Sequence, residues 1–401
     1  MFCSTHQSEQ FRPVRMKIGI PKERRAHEAR VAATPETVKK LLALGVEVLV
    51  EADAGRASFY ADDAYRAAGA AVVADAAAVY GQADVILKVQ RPIGGPGEGA
   101  GDEMALLRPG VVLVGLLAAS SNRPQVEAYA AARVTAFGLE QLPRITRAQA
   151  MDVLSSQSNL AGYRAVIEAA QVFGRAFPMM MTAAGTIAPA RVLVVGAGVA
   201  GLQAIATAKR LGAIVSAFDV RPAVKEQVQS LGATFVEVAA DPGESAETKG
   251  GYAREMTEDY KRRQAQAIHD TLKKQDIAIC TALIPGRPAP RIITDAMVQD
   301  MRNGSVIVDL AVEQGGNCEG SRYGEVVQRH AVTVIGHANM PGRIATDASA
   351  LYARNLVAFL TLLIDRQAGA LKIDTADEIV KATLLTRDGA VVHSDFNSAG
   401  G

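Results

Sequence analysis

The sequence has no tryptophan and only three cysteines and six histidines in 401 residues. Cys3, Cys280 and Cys318 are too few and too scattered for a disulfide framework or a zinc cluster, and they read as reduced thiols. His6, His27, His269, His330, His337 and His393 show no H-x-x-x-H or His/Cys ligand spacing, so no metal is expected. Aromatic residues are 5% of the chain, which speaks against base-stacking or sugar-binding surfaces. Lys+Arg 43 against Asp+Glu 42 leaves no basic field, so nucleic acid is not an expected partner. No apolar run reaches the roughly 18–20 residues of a membrane span. Val192–Ala208 is interrupted by glycine and Val357–Ile364 is too short. Met1–Arg15 is polar, without the apolar stretch of a signal peptide, and residues 1–15 read as a disordered extension outside the fold. There is neither a G-x-S-x-G elbow nor a Walker A loop, so acyl and phosphoryl transfer find no support.

What is present is alternation. Short apolar runs rich in β-branched residues recur at Lys17–Ile20, Val46–Glu51, Asp84–Gln90, Val111–Leu117 and Thr135–Glu140. A second series follows at Arg191–Gly196, Ile214–Asp219, Thr234–Val238, Asp276–Ala282, Ser305–Ala311 and Val332–Gly336. Runs apolar on both sides of the pleat suit parallel strands covered by helices on both faces. Helical segments lie between them; Thr34-Pro35-Glu36 reads as an N-cap, a first-turn proline and a first-turn acid, and Gly45 ends that helix. The fold class is therefore α/β, with two doubly wound parallel-sheet domains. Residues 16–146 with 345–401 are expected to form the first and residues 147–344 the second. A small separate C-terminal domain is the alternative. The stretch Arg147 to about Phe173 reads as one long helix, and Met179–Met181 as core filler.

The sharpest motif is Gly196-Ala197-Gly198-Val199-Ala200-Gly201, between the strand Arg191–Val195 and the helix Val199–Leu211. Gly196 permits the tight turn, Gly198 the approach of a pyrophosphate, and Gly201 close helix–strand packing. The phosphates then meet free N–H groups at the helix N-terminus, those of Ala197 and Val199 among them. The next strand ends at Asp219, eighteen residues after Gly201, where an acid suits ribose hydroxyls and repels a 2′-phosphate. This favours NAD(H), although Arg221, just beyond Val220, leaves NADP(H) open. Gln149, Asp152, Ser155/Ser156 and Asn159 read as one polar stripe of a helix, suited to a ligand or to an inter-domain contact. Ala239–Thr257 has no apolar period and reads as a lid or a disordered loop, with Gly250-Gly251 as a hinge and Tyr252 and Met256 as contacts. Thr281 and Ala282 follow a strand's carboxyl end, where ligands of parallel sheets lie.

Met16–Pro35, Pro143–Val166, Val194–Gln203, Thr281–Pro290 and Val306–Asn317 together resemble the NAD(H)-binding domain I of proton-translocating nicotinamide nucleotide transhydrogenase. The resemblance runs over nearly the whole chain from Met16. It implies two Rossmann-like domains with the nucleotide in the cleft between them. It implies a subunit, dimeric in the family, that docks on separate NADP(H)-binding and membrane proton-channel components at the cytoplasmic face of the inner membrane. Arg144, Asp152 and Ser155 would orient the nicotinamide of NADH, Gln149 the incoming ring or its ribose. Gly196, Ala197, Gly198, Val199 and Gly201 would hold the pyrophosphate, and Asp219, Val220 and Arg221 would surround the ribose. Gly251 and Tyr252 would close over the cofactor, with Thr281 and Ala282 as further contacts. Hydride would leave the A side of NADH for NADP⁺ on the partner.

Alanine dehydrogenase is the related alternative. Its keto-acid-binding Arg and Lys match Arg30 and Lys88. Its catalytic His aligns with Leu116 and its active-site Asp with Glu313. Amine oxidation needs a base for the N–H proton; hydride passage between two nicotinamides does not, so Leu116 favours transhydrogenation. A non-enzymatic NAD(H)-sensing module is the third reading, distinguished by binding without transfer.

Overall fold

The computed structural model describes residues 15–94, 98, 101–238, 257–284 and 286–397. The strands are β1 (Lys17–Ile20), β2 (Glu47–Glu51), β3 (Ala71–Val73), β4 (Val85–Gln90), β5 (Val112–Leu116), β6 (Thr135–Gly138), β7 (Met180–Thr182), β8 (Gly185–Ile187), β9 (Arg191–Val195) and β10 (Ile214–Phe218). They continue with β11 (Thr234–Phe235), β12 (Ile277–Cys280), β13 (Val306–Asp309), β14 (Glu325–Arg329), β15 (Val332–Gly336), β16 (Ile364–Asp365), β17 (Ala370–Leu371), β18 (Leu384–Arg387) and β19 (Ala390–Val391). All eleven apolar runs of the sequence are strands, most trimmed by a residue or more at their ends.

The chain divides into two units. Unit 1 holds residues up to Ala26, Arg30–Asp152 and Ser349 onward. Its sheet runs β19-β18-β6-β5-β4-β1-β2-β3. The six strands β1 to β6 are parallel, in the doubly wound order 3-2-1-4-5-6, and β18 and β19 add an antiparallel edge. Every residue of β4 except its last is buried, as a strand covered on both faces requires. Within this unit Phe359 meets Phe137 edge-on at 5.6 Å between centroids, and Tyr352 donates its hydroxyl to the carbonyl of Lys88 at 2.8 Å.

Unit 2 holds His27–Ala29 and Val153–Ala348. Its sheet runs β11-β10-β9-β12-β13-β15-β14, parallel except for the edge strand β14. Alternate residues of β9 enter opposite cores: Val192 and Val194 join one apolar cluster, Leu193 and Val195 the other. This is the two-period of a strand sandwiched between helix layers.

Three readings need correction. The stretch from Arg147 is not one helix: a 3₁₀ segment covers Thr146–Met151 and the α-helix is Val153–Val172. Asp152 interrupts them with ψ 89°, and the carbonyl of Ala150, which a continuous helix would bond to Leu154, accepts instead from the Asn355 amide at 2.8 Å. Gln149 and Asp152 therefore precede the helix and do not share its face with Ser155 and Asn159. The changeovers between units fall at 152/153 and 348/349, so residues 147–152 lie in unit 1. Met179–Met181 are not core. They stand on the β7–β8 hairpin, which pairs with nothing but itself, and are 59%, 45% and 79% exposed.

Candidate functional site

The doubly wound order in unit 2 reverses between β9 and β12, so the carboxyl ends of these two strands flank the crevice where such sheets take ligands. The glycine-rich turn follows β9. Gly196 has φ +94°, and a Cβ there would lie 2.7 Å from the Thr281 hydroxyl. A Cβ on Gly201 would lie 1.8 Å from the carbonyl oxygen of Gly196. Both glycines are thus required by the protein's own packing. Gly198 is different. It caps the helix Val199–Arg210 with extended backbone, and the nearest atom to a Cβ there is Arg221 Nη2 at 4.0 Å. The fold gives no steric reason for a glycine at 198; a ligand approaching the backbone does.

Thr281, just beyond β12, donates its hydroxyl to the Gly196 carbonyl at 2.8 Å and ties the turn to the neighbouring strand. Asp219, after β10, is buried and accepts four N–H groups. They come from Ala197 N at 2.7 Å, and from Arg221 N, Nε and Nη2 at 2.9 Å each. Val220 packs against the core behind it. Gly196, Ala197, Gly198, Val199, Gly201, Asp219, Arg221, Thr281 and Ala282 are therefore gathered around one turn. Val199 and Leu283 are 42% and 43% exposed, which leaves apolar surface on both segments.

Sequence reasoning missed two supports. Asn317 is fully buried and bonds Ala282 from both ends of its amide, accepting from its N–H at 2.9 Å and donating to its carbonyl at 2.8 Å. It also donates to the Pro290 carbonyl at 2.8 Å and so fixes the loop after β12. Tyr260, on the helix Glu258–Leu272, is close enough to Asp219 that burial and then the carboxylate raise its phenol above the ordinary tyrosine range. Gly162 was a legible signal left unread: its Cβ would lie 2.0 Å from the Ala200 carbonyl oxygen, so it sets how closely its helix packs on the nucleotide helix.

Among the other sequence candidates, Arg144 and Gln149 are exposed and Asp152 is half-buried, all in unit 1. Ser155 is half-buried in the first turn of its helix in unit 2. The segment that carries the first three is braced within unit 1 by a two-pronged Arg147–Asp377 pair and by Asn355 on Ala150. Gly251 and Tyr252, with the rest of the expected lid except Thr257, lie outside the described residues. Burial drives the Cys280 thiol well up and that of Cys318 up to about 12, so neither is a nucleophile.

Lys88 in unit 1 is fully buried, with its ammonium 3.1 Å from Glu23 and 2.8 Å from Glu103. Leu116 ends β5, half-buried, and Glu313 is exposed and accepts from the Asn339 N–H at 2.6 Å.

Two family models match, alanine dehydrogenase/PNT N-terminal domain over residues 19–161 and C-terminal domain over 165–394. The chain belongs to the alanine dehydrogenase/PNT family. Within this family it is 57% identical over 385 residues to an NAD(P) transhydrogenase subunit alpha chain of Rhodospirillum rubrum, covering 96% of this chain and 100% of that one. The crystal structure of transhydrogenase from Sinorhizobium meliloti superposes with a TM-score of 0.83 at 51% identity, covering 94% of this chain and all of that one. The alanine dehydrogenase of Mycolicibacterium smegmatis is a more distant member, 30% identical over 384 residues, covering 94% of this chain and 95% of that one. No helix among the described residues is long and apolar enough to cross a membrane.

Proposed function

We propose that this chain is the NAD(H)-binding subunit of a proton-translocating transhydrogenase. When bound, NADH supplies hydride from its A side to NADP⁺ on a partner domain, giving NAD⁺ and NADPH. The observation that carries the reading is Gly198, a glycine that only a ligand explains, in a chain similar from end to end to a transhydrogenase alpha subunit.

The chain's own residues supply binding and orientation. Gly196, Ala197, Gly198, Val199 and Gly201 hold the pyrophosphate at the helix N-terminus. Asp219, Val220 and Arg221 surround the adenosine ribose. Thr281 and Ala282 flank the crevice, and Gly251 and Tyr252 close it. Arg144, Asp152 and Ser155 orient the nicotinamide, and Gln149 steadies the incoming ring. No general base is needed, because the reaction releases no proton from an amine or alcohol. Proton translocation resides in the membrane partners, which hold this subunit at the cytoplasmic face of the inner membrane.

An alanine dehydrogenase activity is disfavoured twice. Leu116 cannot serve as a base, and the Lys88 ammonium is already neutralised by two carboxylates. A parallel assay tests the choice: NADH with thio-NADP⁺ and a recombinant NADP(H)-binding domain in one well, alanine with NAD⁺ in the other. Turnover is expected only in the first; turnover of alanine would overturn the reading.

The subunit is a homodimer in this reading. The exposed Met179, Met180, Met181 and Ile187 of the β7–β8 hairpin supply apolar surface for that contact. Sedimentation equilibrium is expected to give twice the chain mass, and a monomer at all concentrations would contradict it.

A further inference from the structure

Asp219 offers about four lone-pair positions, as any carboxylate does, and the structure fills four. Two donors, Ala197 N and Arg221 N, are backbone groups fixed by the turn and by the strand end. The other two are the guanidinium Nε and Nη2 of Arg221, in a fork at 2.9 Å to each oxygen. A ribose that donates its hydroxyls to Asp219 must therefore displace a donor, and only the guanidinium can move. The Arg221 side chain is 19% exposed and its Nη2 already stands 4.0 Å from the open Cβ position of Gly198. A diphosphate lying on that turn offers the guanidinium a new anionic partner.

We propose that Arg221 is an exchangeable counter-ion of the nucleotide site. It neutralises buried Asp219 in the empty subunit, and on binding it hands Asp219 to the ribose and takes up the diphosphate. The site then never holds an unpaired buried carboxylate and never frees a cation without a partner. Ribose and diphosphate recognition become coupled through one side chain. This inference rests on the nucleotide-binding reading above.

The test uses ligands that separate the two halves of the exchange. Wild type, Arg221→Ala and Arg221→Lys, each checked for an unchanged thermal midpoint, are titrated by calorimetry with adenosine, ADP-ribose and NADH. In Arg221→Ala, ADP-ribose and NADH should bind about tenfold or more weakly, the loss of one charge-assisted contact. Adenosine, with the ribose but no phosphate, should bind as well as to wild type or more tightly, because its competitor for Asp219 is gone. Lysine reaches a phosphate as a point charge but cannot fork across a carboxylate, so Arg221→Lys should recover some of the diphosphate affinity. Equal weakening of all three ligands would mean that Arg221 merely shapes the turn, and unchanged ADP-ribose affinity would mean that it never meets the diphosphate; either overturns the proposal. Failure of wild type to bind NADH at all would instead remove the nucleotide-binding reading, and the proposal with it.

Discussion

Replacing Gly198 with alanine is expected to leave the fold intact and to abolish useful NADH binding. A methyl at this position meets no protein atom closer than 4.0 Å, and its extended backbone suits any residue. The same methyl occupies the space a pyrophosphate needs in order to reach the N–H groups of the turn. Losing two charge-assisted hydrogen bonds at about 1.5 kcal/mol each would weaken binding about 100-fold. Gly201→Ala should do the reverse. Its methyl would sit 1.8 Å from the Gly196 carbonyl oxygen, so helix and strand must separate. Overpacking of this kind costs about 3 kcal/mol, or roughly 6–12 °C of thermal midpoint in a domain of this size. Calorimetric titration and thermal unfolding of the two variants check the pair. Wild-type affinity in Gly198→Ala would leave the glycine without the ligand that is taken to explain it.

Asp152→Asn and Ser155→Ala should separate chemistry from binding. Asp152 sits where the 3₁₀ segment ends, and Ser155 in the first turn of the helix that follows. If they orient the nicotinamide, losing either lets the ring drift from the reactive geometry, and a misplacement near 1 Å costs about 100-fold in rate. The expected result is a fall of about that size in single-turnover hydride transfer, with the NADH dissociation constant changed less than about threefold. Stopped-flow transfer and equilibrium titration on the same samples supply both numbers. Small, equal effects on the two would remove the assigned role.

The fold was legible because parallel strands must be apolar on both faces, and eleven such runs stand out in the sequence. The strands that escaped notice lack that signature for physical reasons. β14 (EVVQR) is an antiparallel edge strand with charged ends, and β7 and β8 belong to a hairpin exposed on both sides. The glycine-rich turn and Asp219 were legible because their spacing is set by one strand–helix–strand unit. The break at Asp152 was not, because it depends on Asn355, 205 residues away, taking the Ala150 carbonyl. Arg221 posed a choice of nucleotide in the sequence; the structure engages it with Asp219, a contact that residue spacing alone cannot reveal. Asn317 likewise gives no motif, since its partners Ala282 and Pro290 lie 35 and 27 residues back.

The central claim is direct hydride transfer between two nicotinamides with no protein base. Its most direct test is isotopic. NADH carrying deuterium on the A side of C4 is mixed with this subunit, the NADP(H)-binding partner domain and NADP⁺ in ordinary water, and the NADPH formed is analysed by mass spectrometry. The account predicts complete transfer of the label to NADPH, and none from NADH labelled on the opposite face. Loss of the label to water, transfer from the opposite face, or label appearing without this subunit would contradict it.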